Sequence, residues 1–172
     1  MSMQLHLIMN KFDRILRVFL AVLMGLLVID VTWQVLTRFI LPQPSSFTEE
    51  VARFLLIWVS LLGAAYAYRL SSHLGFDLMV KKLAAKEAVF FVRLCSVLVA
   101  IFAIAVLIVG GGNLVLLTWS LGQFSPVLNV PMAFVYAVVP LSGILFLIYS
   151  CLFFMDAETF VKNDQLPLEE EA

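Results

Sequence analysis

Four stretches of this chain are apolar over the length of a membrane-crossing helix, and nothing else in the sequence constrains the fold as strongly. They fall at residues 18–41, 47–69, 86–118 and 131–155. About 20 apolar residues in a helix cross the roughly 30 Å hydrocarbon core of a bilayer. Within lipid the backbone must satisfy its own polar groups, so each run is expected to be helical. The predicted class is therefore an all-α membrane protein with four transmembrane helices in one integral membrane domain, residues 1–172. Composition agrees: 63% of residues are hydrophobic and 13% are charged, with a mean hydropathy of +1.04. Soluble domains carry roughly 25% charged residues. With a net charge of −1, bulk electrostatics argue against a nucleic acid partner. The first run is not expected to be a cleaved secretory leader: it is too long, carries Asp30 and lacks a small-residue cleavage site.

In chain order, residues 1–13 are mixed and expected to fray, and Lys11, Arg14 and Arg17 form a basic collar before the first span. Pro42, Pro44, Ser45 and Ser46 make a tight loop, after which Ser46 or Thr48 can cap the second span. Ser60, Gly63, Ala64 and Ala67 place small residues at helix-packing spacing. Residues 71–85 are too short and too charged to span. Phe76, Met79, Val80 and Leu83 share one helical face and Asp77, Lys81 and Lys82 the other, which predicts an amphipathic interfacial helix anchored to the bilayer. The third run is longer than a span needs, so it tilts or protrudes, and the glycines at 110–112 are expected to bend it. Residues 119–130 form an uncharged loop with Trp119 suited to the headgroup zone. Pro131 opens the fourth span, Pro140 should kink it, and residues 156–172, ending in Glu169-Glu170-Glu171, are expected to be a disordered cytoplasmic tail.

The basic residues set the expected topology. With four spans, Lys11, Arg14, Arg17, Arg69, Lys81, Lys82, Lys86, Arg93 and Lys162 fall on one side, leaving Arg38 and Arg53 in the other half. The positive-inside rule then places both termini in the cytoplasm.

The charges that bracket residues 47–77 are costly near a membrane unless they are used. Asp30, Gln34, Thr37 and Arg38 form a polar stripe on the first span. A hairpin closed near Pro44 would bring Arg38 level with Glu49 and Glu50, and Arg53 between the depths of Asp30 and Arg38. Ion pairs Arg38–Glu49/Glu50 and Asp30–Arg53 are the expectation, either as internal neutralisation or as a subunit joint. Arg69, His73 and Asp77 are expected to set the turn that follows the second span, or to touch another protein. Trp33 and Trp58 suit helix or lipid packing, and Tyr66, Tyr68, Phe90, Phe91, Phe153 and Phe154 suit an interfacial aromatic belt. Cys95 and Cys151 lie in apolar runs and read as buried small hydrophobes rather than a disulfide. His6 and His73 lie outside mid-span, which argues against haem ligation. No catalytic triad, metal-ligand cluster or phosphate loop is evident, so no enzyme is expected. Two other functions fit some of these residues: a small proton-coupled exporter with Asp30 as its protonatable site, and a membrane assembly factor.

WQVLTRF at 33–39, a proline-containing loop, and FTEEVARFLLIWVSLLGAAYAYRLSSHLGFD at 47–77 resemble the small membrane subunit of TRAP transporters, the DctQ family. PVLNVPMAFVYAVVPLSG at 126–143 matches the family's second characteristic stretch. Phe47 departs from the family's usual tryptophan, and Leu74–Gly75 lie in a variable spacer. The chain looks most like the small subunits of sialic acid systems. The resemblance implies a non-catalytic scaffold in the bacterial inner membrane. Its partners would be a large, DctM-like membrane subunit and a periplasmic substrate-binding protein, with the lipid bilayer around it. Sodium coupling and organic-anion import would belong to the large subunit, with no cofactor in this chain. The family's motif positions would be Arg38, Glu49, Glu50, Arg53, Arg69, His73 and Asp77.

Overall fold

The structure, a computed structural model, describes residues 3–40, 46–70 and 85–158. The interfacial helix expected at 71–85, with His73, Phe76, Asp77, Met79, Lys81, Lys82 and Leu83, falls almost wholly outside the described residues. So does the tail beyond residue 158.

Among the described residues the chain is all-α. Helix α1 spans Met3–Ile40 and α2 Ser46–Arg69. Helix α3, Ala85–Phe102, widens into a π-helical segment at Ala103–Gly110 and continues as α4, Gly111–Ser120. Helices α5, Met132–Tyr136, and α6, Val138–Met155, complete the fold. Four stretches are long and apolar enough to cross a membrane: Met9–Ile40, Ser46–Arg69, Glu87–Ser120 and Met132–Met155. The chain is a multi-pass membrane protein.

Two local expectations are corrected, and the interruption expected from Pro140 is located. Helix α1 starts at Met3 instead of after a frayed segment. Its first turns contain no glycine or proline and hold good helix formers such as Met, Leu and Lys. The glycines at 110–112 do not break the helix: Gly111 has φ −64° and ψ −40°, and the irregular π-helical segment lies before it. Pro140 acts earlier than its own position. It lacks the N–H that would bond the Tyr136 carbonyl, and its ring crowds that carbonyl. The helix is interrupted at Ala137, whose N–H closes the last turn of α5 onto Ala133 O at 2.9 Å.

The chain divides into two compact units. The first comprises Met1–Tyr66 and Asn113–Val138. It buries Leu62, Ala65, Ala133, Val135 and Val138, together with the polar residues Thr37, Thr48, Glu50, Thr118 and Ser125. Helix α1 contributes little to that core. From residue 9 onward only its Leu16 and Thr37 side chains are buried, and apolar residues from Ile15 to Ile40 stay exposed around the helix. In lipid such exposure carries no hydrophobic penalty.

The second unit comprises Ala67–Gly112 and Val139–Ala172. It is held by close approach. A Cβ placed on Gly143 would lie 2.7 Å from Leu107 Cβ and 2.9 Å from Ile108 Cγ1. One on Gly111 would lie 2.7 Å from Val139 Cγ1. Only glycine lets these backbones meet. Ser142 is fully buried and donates to Val139 O at 2.8 Å, so its hydroxyl does not stand orphaned at the contact. The small residues expected to pack α2 behave otherwise. Ser60 and Ala64 are exposed and Ala67 is half-buried, while a Cβ on Gly63 would meet nothing within 4 Å.

Candidate functional site

The site is built around a buried carboxylate. Glu49 and Glu50 are adjacent on α2, so their side chains leave the helix about 100° apart. Glu49 points outward and accepts from Arg53 Nη2 at 3.2 Å, one turn on, with both side chains largely exposed. Glu50 points inward and is only 6% exposed.

What Glu50 meets is backbone. The segment after α4 folds back on itself: Gly122 N donates to Trp119 O and Gln123 N to Thr118 O, both at 3.1 Å. Gly122 has φ +57°, a conformation that glycine adopts without strain. Ser125 N donates to Val130 O at 2.9 Å, Met132 N to Gln123 O at 2.9 Å, and Phe124 and Pro131 form an isolated antiparallel bridge. At the tip Asn129 N closes onto Ser125 O at 3.1 Å, and Asn129 takes φ 53°, which asparagine tolerates better than most residues. Pro126 has no N–H to offer, and the tight turn leaves the next two amides without a backbone acceptor. Glu50 Oε2 fills that gap, accepting from Val127 N at 3.1 Å and Leu128 N at 2.8 Å. The buried Ser125 lies beside the same carboxylate. One charged oxygen thus satisfies two amides that an apolar setting would leave costly.

Two expected ion pairs are therefore replaced. Arg53 goes to Glu49 rather than Asp30, because an i, i+4 partner on its own helix is reached without crossing to another. Arg38 is exposed in the last turn of α1, where a cation suits the helix dipole, and forms no ion pair among the described residues. Glu50 takes the loop amides in its place. Thr37, buried, donates to Gln34 O at 2.9 Å. Asp30 keeps one buried oxygen, Oδ2, without a hydrogen-bond partner among the described residues. Arg69 stands in the last turn of α2.

The second unit holds a polar contact within an aromatic cluster. Tyr68 is 4% exposed, and its hydroxyl lies 3.2 Å from Ser150 Oγ. Its ring sits 5.6 Å from Phe146 and meets Phe153 edge-on at 5.3 Å. Tyr68 is thus a buried core residue, not a member of an interfacial belt: its partners enclose the ring, and Ser150 satisfies its hydroxyl. Nearby Arg93 pairs with Glu158 at 3.0 Å and lies over the Phe154 ring at 5.8 Å. Cys151 is exposed and Cys95 half-buried, both as free thiols, so burial holds for neither in full. Trp119 is exposed and meets Phe134 edge-on at 6.1 Å, while Trp33 is exposed and Trp58 half-buried.

These features define an all-α, multi-pass membrane protein in which the buried Glu50 carboxylate is committed to the chain's own loop. The family model for the DctQ component of tripartite ATP-independent periplasmic transporters matches residues 27–158, and the chain belongs to that family. It is 31% identical over 108 residues to the sialic acid TRAP transporter small permease protein SiaQ of Vibrio cholerae, covering 63% of this chain and 62% of that one. It is 30% identical over 122 residues to the C4-dicarboxylate TRAP transporter small permease protein DctQ of Rhodobacter capsulatus, covering 70% of this chain and 52% of the relative. A putative TRAP transporter small permease protein of Haemophilus influenzae is 28% identical over 138 residues, covering 79% and 81%. The match thus spans little more than half the length of the first two relatives. The Glu50 latch and its loop lie inside the family-matched region.

Proposed function

We propose that this chain is the non-catalytic scaffold subunit of a TRAP transporter. It would work with a large membrane subunit and a periplasmic binding protein to import an organic anion, sialic acid or another carboxylate. Family membership supports the assembly, and the name of the Vibrio relative supports sialic acid as the first substrate to try. The observation that carries the scaffold role is the Glu50 contact with Val127 and Leu128: the charge best placed to serve a cargo is spent on holding a loop. Sodium coupling and substrate binding then belong to the large subunit. The protein would lie in the inner membrane; the distribution of its basic residues supports cytoplasmic termini and a periplasmic 119–130 loop.

The rationale is mechanical. If the large subunit carries substrate by moving one part against another, the stationary part must resist displacement in the bilayer. A subunit with four spans adds that resistance. Proteoliposomes test the proposal. With a sodium gradient, sialic acid uptake is expected only when this chain, the large subunit and the binding protein are all present. Uptake of comparable rate by this chain alone overturns it.

A further inference from the structure

Between α1 and the start of α2, within the first unit, lies a cleft of about 450 Å³. Ile29 and Trp33 from α1 and Phe47, Val51 and Leu55 from α2 make its walls of hydrocarbon. Two polar residues line it, Asp30 and Thr48. Asp30 Oδ2 is buried, with no hydrogen-bond partner among the described residues. The rim is open: Ile29 is 68%, Trp33 58% and Phe47 54% exposed.

A carboxylate in an apolar wall is costly unless something compensates it. The two arginines expected to pair in this region do not: Arg53 is held by Glu49, and Arg38 is exposed and forms no ion pair with any described residue. A bare metal ion fits poorly, since hard cations want about six or more oxygen ligands and the walls supply two polar side chains. The cleft instead offers what a long basic side chain requires, apolar walls for its methylene stem and one carboxylate among the lining residues for its head. It also lies along α1, the helix that contributes least to the chain's own core.

We propose that the Asp30 cleft receives a lysine or arginine from a transmembrane helix of the large membrane subunit, forming a charge pair buried at the joint between the two. This rests on the assembly proposed above and names one contact within it.

The test co-produces the affinity-tagged chain with a large TRAP membrane subunit from the same organism and measures how much large subunit is recovered. Because Asp30 Oδ2 makes no bond to the described chain, Asp30→Asn is expected to leave the melting temperature of the isolated chain unchanged or raised. Recovery of the large subunit is expected to fall at least about tenfold, as when one partner of a buried charge pair is removed. Asp30→Glu should retain most of it. Val51→Trp, which fills the cleft and keeps the charge, should lower recovery as Asp30→Asn does. Full recovery with Asp30→Asn overturns the inference and leaves the scaffold proposal standing. A loss of isolated-chain stability that matches the loss of complex overturns it too, by making Asp30 structural. Proton-driven flux from vesicles holding this chain alone, abolished by Asp30→Asn, would assign the carboxylate to a proton instead. No large subunit recovered with the unaltered chain sinks the scaffold proposal, and this inference with it.

Discussion

The two units of this membrane protein solve the same problem by different means. In the first, a loop is secured by one carboxylate that reaches two backbone amides, Val127 and Leu128, while α1 leaves most of its apolar surface uncovered. In the second, Gly111 and Gly143 let backbones approach closely, and a buried Tyr68 is wedged between Phe146, Phe153 and Ser150. Lipid is as apolar as leucine, so helices do not associate by the hydrophobic effect. They need close van der Waals contact or a polar bond. The second unit relies mainly on contact, and the first mainly on a polar bond.

The contrast can be broken at four points. The largest effect is expected from Glu50→Ala, which leaves two part-buried amides without an acceptor. Hydrogen exchange at Val127 and Leu128 should accelerate by about ten- to a hundredfold, with α3 and α6 unaffected. Unchanged exchange would mean that the loop holds itself. Next is Gly143→Ala against Gly63→Ala. The first puts a methyl within clashing distance of Leu107 and should destabilise by about 2 kcal/mol. The second meets nothing and should gain up to about 1 kcal/mol from helix propensity. Thermal unfolding in detergent separates them, and equal shifts would deny the packing difference. Third, Tyr68→Phe removes the neutral hydrogen bond to Ser150 and should cost about 1 kcal/mol or more. A double-mutant cycle with Ser150→Ala should show the two are coupled. Smallest is Glu49→Ala, which breaks an exposed pair and should cost no more than about 0.5 kcal/mol.

Much of the fold was legible because its signals are local. Apolar runs of span length predicted four spans, and a proline without an N–H predicted an interruption of the last one. The site was harder to read. Glu50 stood out as a carboxylate near a membrane, but its partners are backbone amides 77 and 78 positions away. Every residue except proline carries such an amide, so no residue type advertises the contact. An arginine was the more visible partner, and the visible partner was not the one used. Pro126 followed by uncharged Val127 and Leu128 was the available hint, since a turn after proline frees the next amides. The glycines teach a related lesson. Gly63 sits in a run of small residues and packs closely on nothing, whereas Gly143 lacks such a run and is the tighter contact. A glycine's role depends on what faces it. Tyr68 likewise looked like one of several aromatics near a helix end, and Phe146, Phe153 and Ser150 together make it a core residue, Ser150 lying 82 positions on.

The central claim is that the charged cluster at the start of α2 holds the subunit's structure and does not select cargo. Competition uptake in the assembled transporter, comparing sialic acid with a C4-dicarboxylate in the presence of Glu50→Ala, tests this most directly. The account predicts a lower yield of complex or a lower uptake rate, with the preference between the two substrates unchanged. A shift in that preference, with the complex assembled at normal yield, would contradict it.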